Sequence, residues 1–222
     1  MNFLLHRHLA ARELASPVAG VGAMLPDLWR LADRRVRARR PHGGGELAAG
    51  IAHHLDVDRW FHDCAVFAEG ERRLVRGLRE ASEAPKLGLF AHPAFEMCLD
   101  GALLARAPLE LSAADLREDL AGVGVESACA CAREHGASRF DDGETRAFCD
   151  NLTRLWSALG SPLFLVGYTS GDGLCTRLER MRGWFGLPLF AVDERARIAA
   201  VLHRALDEAT GALNELEALR AS

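Results

Sequence analysis

The sequence has little of what marks several specialised classes of protein. It contains one lysine against 26 arginines, a single tyrosine, and six cysteines of which no two form a CxxC pair. The apolar run at residues 3–5 is too short for a signal peptide or a membrane span. We therefore expect a cytoplasmic protein whose cysteines are buried free thiols rather than disulfides or zinc ligands.

Charge and composition are equally moderate. The 222 residues carry a formal net charge of −4 and are 49% hydrophobic, which is typical of a soluble globular protein. This balance gives no reason to expect a nucleic-acid partner or a membrane surface. The length suits one domain with a sizeable core, so we predict a single domain over residues 1–222. Within it we expect a mobile, basic and glycine-rich loop at residues 33–46.

Helical periodicity dominates the chain, and strand patterns are scarce. Ser112-Ala-Ala-Asp115 has the pattern of a helix N-cap. Ser170-Gly-Asp-Gly173 lacks the lysine and the strand of a phosphate-binding loop, and so predicts a helix start instead. The sequence therefore predicts an all-α fold of about eight helices. The predicted helical stretches are 2–15, a second from 17 past 27, 47–78 as one long helix or two, 93–107, 112 to about 122–124, 125–135, 142–159, one within 168–181, and 193–220.

Two predicted helices each carry three ionisable side chains at four-residue spacing. They are His54, Asp58 and His62 in one helix, and His92, Glu96 and Asp100 in the other. Each side chain lies about 40° past the previous one, so that each triplet lines one helix face. Histidine and carboxylate side chains are metal ligands, and His6, His8 and Asp27 add three more near the start of the chain. Alternatively, either triplet is the solvent side of an amphipathic helix.

Helix geometry limits how the first triplet can bind metal. His54 and His62 are separated by about 12 Å along the axis, so one ion with bonds of about 2 Å cannot reach both. We predict one ion between His54 and Asp58, with a second ion or a phosphate nearer His62. Mixed imidazole and carboxylate ligands suit Mn²⁺, Fe²⁺ or Zn²⁺ better than Ca²⁺ or Mg²⁺. Such a centre is suited to phosphoester hydrolysis.

Four short motifs resemble those of the acyl-carrier-protein phosphodiesterases, a divergent branch of the HD phosphohydrolase superfamily. They are Met1-Asn-Phe-Leu-Leu-His-Arg-His-Leu-Ala10, Gly22-Ala-Met-Leu-Pro-Asp27, Gly50-Ile51 followed by His54 and Asp58, and Cys98-Leu-Asp100 preceded by Glu96. The resemblance extends over nearly the whole chain and is most specific in the first ten residues. It implies an all-helical, metal-dependent, HD-phosphohydrolase-like domain.

The resemblance also implies roles for the matched residues. Those it makes candidates for metal binding or catalysis are His8, Asp27, His54, Asp58 and Asp100. The implied reaction releases 4′-phosphopantetheine from holo acyl carrier protein, with Mn²⁺ as the ion and Asp27 or Asp58 positioning or deprotonating the attacking water. His62 is a further metal candidate, and His6, His92 and Glu96 are additional ones.

Three departures from the family pattern leave alternatives open. Ala23 replaces an asparagine, Phe61-His62 replaces a Thr-Asp pair, and Gly101 replaces a histidine. His62 can substitute as a ligand, since imidazole takes a carboxylate's place at transition metals; His62-Asp63 also offers a rival His-Asp register. The alternatives are a hydrolase of another small phosphoester and a catalytically inactive module that binds a carrier protein. Six arginines between residues 30 and 40 could attract such an acidic partner.

Overall fold

The structure is a computed structural model that describes residues 2–136 and 139–221. These residues form eleven α-helices and no strand, so the all-α prediction is confirmed, whereas the predicted count of about eight helices is wrong. The helices are α1 (Phe3–Glu13), α2 (Pro17–Ala32), α3 (Glu46–Asp63), α4 (Ala65–Ala81), α5 (Ala91–Leu104), α6 (Leu109–Val123), α7 (Val125–His135), α8 (Asp142–Leu159), α9 (Pro162–Leu165), α10 (Gly171–Gly183) and α11 (Val192–Ala221). Short 3₁₀-helices span Leu87–Phe90 and Val166–Tyr168.

The helix count differs from the prediction for local reasons. The periodic stretch 47–78 breaks at Cys64, whose extended backbone separates α3 from α4. Helix α9 has only four residues, too few to show the periodicity on which the prediction rested. Ser112 lies inside α6, which begins three residues earlier, so the predicted cap there is wrong. Ser170 does cap α10, because its side chain accepts a hydrogen bond from the Gly173 amide.

The chain divides into two compact units by its internal contacts. One unit comprises Phe3–Trp60 and Glu110–Phe164, and in it α2 packs against α1 and α8. The other comprises Phe61–Leu109 and residues 165–221 together with Asn2, and in it α11 packs against α4, α5 and α10. Each unit has its own set of fully buried side chains, including Trp29 in the first and Phe67 in the second.

The first part of the segment between α2 and α3, residues 33–40, is held by several contacts. The Arg39 amide donates to the His135 carbonyl at 2.7 Å, next to an isolated bridge between Ala38 and Gly136. The Arg35 guanidinium pairs with Asp33 and with Glu144. A further pair joins Arg40 to Asp56 on α3.

All six cysteines are free thiols, as the composition predicted. Four of them are buried and two are partly exposed. Burial raises the pKa of Cys129 to about 12 and that of Cys175 to about 11, which keeps both thiols protonated at neutral pH.

One stretch among the described residues, Leu87–Leu104, is long and apolar enough to cross a membrane by length and composition alone. Since 72% of it is buried inside the protein, it is weak evidence for a membrane span.

Two glycines bring the backbones of α2 and α3 into contact. A Cβ atom added to Gly50 would lie 2.0 Å from the Ala19 carbonyl oxygen, and one added to Gly22 would lie 2.4 Å from the Leu47 carbonyl oxygen. Only residues without side chains allow helices to approach this closely. The Gly50-Ile51 motif therefore has a packing role, which sets the position of the following turn of α3.

We expect Gly50→Ala to lower the free energy of unfolding by about 3 kcal/mol, because the added methyl group meets a backbone carbonyl that cannot move freely. Gly211→Ala is the matched control, since Gly211 lies in the exposed middle of α11 with open space around it. There alanine should stabilise the protein by about 0.5–1 kcal/mol through its higher helix propensity. Urea denaturation measures both values, and a similar effect of the two substitutions would contradict the packing role.

Candidate metal centre

His54 is fixed in one orientation by the backbone of α2. Its Nδ1 atom lies 2.8 Å from the Ala23 carbonyl oxygen. A carbonyl can only accept, so Nδ1 carries the hydrogen and donates it, which leaves the lone pair on Nε2. Pro26, in the following turn of α2, has no amide hydrogen, so one hydrogen bond of the helix is absent there. The side chain of His54 is thus oriented with Nε2 as its available ligand atom.

His6 and Asp58 complete a group with His54. One ligand atom from each of the three residues lies within 4.8 Å of the others. The rings of His6 and His54 are 3.9 Å apart between centroids and inclined by 33°. Both histidines are buried, whereas Asp58, one turn further along α3, is partly exposed.

The spacing of these atoms fits a metal ion. Ligands at about 2.1 Å from an ion stand about 3–4 Å apart at tetrahedral or octahedral angles, and the three ligand atoms lie within 4.8 Å of one another. Two imidazoles and one carboxylate form a donor set typical of Mn²⁺, Fe²⁺ or Zn²⁺. The fixed Nδ1 hydrogen bond of His54 is the outer contact that metal-binding histidines generally make.

Asp27 lies on α2, one turn beyond Ala23 and therefore on the same face of that helix. Its side chain is buried, and its Oδ2 atom has no hydrogen-bond partner among residues 2–136 and 139–221. A buried carboxylate oxygen without a partner is costly unless a proton or a cation satisfies it. This makes Asp27 a candidate ligand or proton acceptor.

A second group of ligand atoms forms in the other unit. It consists of His62, His92 and Glu96, again within 4.8 Å of one another. Burial opposes a charge on His92, but Glu96 and Glu71 outweigh it and raise the pKa of His92. His62, at the end of α3, is exposed, whereas Glu96 is buried.

Three residues predicted to bind metal lie in neither group of the described residues, namely Asp27, His8 and Asp100. His8 is half-buried on α1, and His6 rather than His8 stands beside His54. Asp100 is completely buried on α5, where its negative charge acts on Arg177 of α10. Their roles as ligands stay predictions.

The structure gives physical reasons for the departures from the family pattern. A side chain at Gly101 would place its Cβ atom 2.2 Å from the Tyr168 carbonyl oxygen, so a histidine does not fit there. Phe61 is buried and packs against Phe67 with 4.3 Å between ring centroids. Ala23 contributes its backbone carbonyl to His54 and needs no polar side chain for this contact.

Two contacts at these groups could not be found from helical spacing. The Ala23 carbonyl is a backbone atom, and Glu71, which contacts His92, lies on α4 with no local relation to α5. The role of His6 had a usable signal: it shares the apolar face of α1 with Phe3 and Ala10, where a histidine is unexpected.

Compared with known proteins, the chain matches no family model, no curated protein and no solved structure. The likeness to the acyl-carrier-protein phosphodiesterases accordingly rests on the motifs quoted from the sequence.

Proposed function

We propose that this protein is a metal-dependent phosphodiesterase whose ion is held by His6, His54 and Asp58. The observation that carries the proposal is the meeting of these three ligand atoms within 4.8 Å, with His54 already oriented by the Ala23 carbonyl.

The other residues supply the remaining parts of a hydrolytic site. A bound divalent ion would polarise a phosphoryl oxygen and lower the pKa of a bound water. Asp27 is the proposed proton acceptor, because its buried Oδ2 atom has no partner in the described part of the chain. Asp58 is half-exposed and forms the side of the site that a substrate can approach.

The proposed substrate is holo acyl carrier protein, on the strength of the sequence motifs. The basic segment supports an acidic partner, since Arg30, Arg37 and Arg39 are exposed and pair with no carboxylate among the described residues. In contrast, Arg35 and Arg40 are already engaged with carboxylates of the same unit. Three exposed guanidinium groups are well suited to phosphate or carboxylate recognition.

The test is to incubate the purified protein with Mn²⁺ and holo acyl carrier protein, and to follow the carrier by mass spectrometry. We expect loss of the phosphopantetheine arm with the wild type. Asp58→Asn should reduce the rate by at least about 100-fold, because it removes a negative charge from the site and so weakens binding of the ion. Asp56→Asn is the matched control: it lies two residues away, is exposed and pairs with Arg40, and should keep full activity.

Three outcomes separate the candidate functions. Turnover of a generic phosphodiester with no change in the carrier protein would keep the activity and replace the substrate by another small phosphoester. Tight binding of the carrier protein without turnover of either substrate would favour the inactive binding module. If neither substrate reacts and His54→Ala holds as much transition metal as the wild type, the proposed function is wrong.

A further inference from the structure

His92 occupies a place between two carboxylates. Its Nδ1 atom is 3.2 Å from an oxygen of Glu71, and its Nε2 atom is 3.6 Å from an oxygen of Glu96. The first distance is a hydrogen bond, whereas the second is too long for a good one. It is close to the separation of about 3.4 Å between two ligands of a tetrahedral ion with bonds of about 2.1 Å.

The contact with Glu71 determines which nitrogen of His92 can bind an ion. A carboxylate accepts a hydrogen from Nδ1, so the lone pair of the neutral ring lies on Nε2, which faces Glu96. This carboxylate–histidine arrangement is the one that fixes metal-binding histidines and makes them stronger donors. Glu71 is thus a positioning residue, and Glu96 and His92 present one ligand atom each.

His62 supplies the third ligand. Its ring stacks on that of His92, with centroids 4.7 Å apart and planes inclined by 28°. The edge of Phe67 packs against both imidazoles, at 5.7 Å from His62 and 5.0 Å from His92. Phe67 is buried and packs against Phe95. Its ring therefore supports both histidine rings from one side.

The packing of α4 on α5 brings the outer carboxylate into place. A Cβ atom on Gly70 would lie 2.0 Å from the ring of Phe95, so the absence of a side chain at Gly70 lets this ring pack directly on the backbone of α4. The next residue is Glu71, which reaches His92 as a result. Glu96 is buried on α5, one turn beyond His92.

We propose that His62, His92 and Glu96 form a second site for a divalent transition-metal ion, with Glu71 orienting His92. Two imidazoles and one carboxylate are a common donor set for zinc, in which a fourth position stays open to water or a ligand. The exposure of His62 leaves this position accessible from solvent. None of these residues belongs to the His6–His54–Asp58 group, so the proposal does not depend on the proposed function.

Zinc titration in a His54→Ala background tests the second site by itself. We expect this protein to bind one equivalent of Zn²⁺, measured by competition with a chromophoric chelator. Adding His62→Ala or His92→Ala should weaken this binding by more than about 100-fold, since each removes a direct ligand. Adding Glu71→Gln should keep the stoichiometry and weaken affinity by about 10–100-fold, as outer contacts usually do. Co²⁺ substitution should give visible absorption bands that disappear with His92→Ala.

His203→Ala is the matched control, because His203 and Asp207 form an exposed histidine–carboxylate pair at the same i, i+4 spacing on α11. It should leave zinc binding unchanged. Circular dichroism checks the fold of each variant, and the exposed position of His62 provides a substitution that the fold tolerates. The proposal is overturned if the His54→Ala protein binds no zinc, or if neither His62→Ala nor His92→Ala weakens its binding. Failure of the proposed function would instead appear as equal zinc content in wild type and His54→Ala.

Discussion

Replacing His54 with alanine is expected to remove the ion of the candidate metal centre and to lower phosphodiester hydrolysis on the order of 1,000-fold or more. Loss of an outer contact of a metal site typically lowers metal affinity or activity by about 10–100-fold, and loss of a direct ligand should lower them further. The hydrogen bond from Nδ1 to the Ala23 carbonyl leaves Nε2 as the ligand atom. Metal content of the purified protein and the rate with Mn²⁺ measure the two effects separately.

His53→Ala is a close control for this substitution. His53 is the preceding residue on α3 and is about as buried as His54, at 8% against 6% exposed. Its Nε2 atom contacts Glu13 at 2.9 Å and belongs to neither group of ligand atoms in the described part of the chain. We expect some loss of stability from His53→Ala, with metal content and activity retained. Equal loss of metal from both variants would show that the effect of His54→Ala is structural.

Helical periodicity was sufficient to predict the fold class and part of the site. The spacing of His54 and Asp58 places them on one face of a single helix, which is a local property. The pairing of His92 with Glu96 follows from the same rule. Both pairs could be predicted from the sequence, because the two residues of each pair lie on a single helix.

The contacts that complete each group are not local. His6 joins His54 from α1, and His62 joins His92 from the end of α3. These depend on how helices pack, which the sequence encodes weakly through residues such as Gly50 and Gly70 that permit close approach. The axial distance between His54 and His62 did predict two separate ligand groups, because that distance is again fixed within one helix.

Helix boundaries, too, depend partly on a local motif and partly on the residues around it. The Ser112 capping pattern looked sufficient in isolation, yet α6 starts at Leu109 because nothing in the preceding three residues opposes a helix. At Ser170 the pattern was decisive, since the cap accepts the Gly173 amide and Thr169 lies in a turn. A capping sequence therefore predicts a helix start only where the chain before it cannot continue the helix.

Asp100 is the predicted site residue whose surroundings differ most from the expectation. It is completely buried on α5, and the adjacent Gly101 packs against the backbone of Tyr168. Arg177 lies over the ring of the same tyrosine, with 3.8 Å between the guanidinium carbon and the ring centroid. Burial lowers the pKa of Arg177, whereas Tyr168 and, more weakly, the charge of Asp100 oppose this. We infer that Arg177 balances the charge of Asp100 within this unit.

Arg177→Met is expected to lower the free energy of unfolding by about 1–2 kcal/mol, because it removes a guanidinium group that stacks on Tyr168 and offsets part of the charge of the buried Asp100. The double variant Asp100→Asn/Arg177→Met should recover part of this loss, since the remaining amide is neutral. Arg180→Met is the control: Arg180 is exposed on the same helix, and its loss should change stability by less than about 0.5 kcal/mol. Urea denaturation gives all three values. If the double variant is no more stable than Arg177→Met, Arg177 does not balance the charge of Asp100. If Asp100→Asn alone lowers the metal content, Asp100 is a metal ligand.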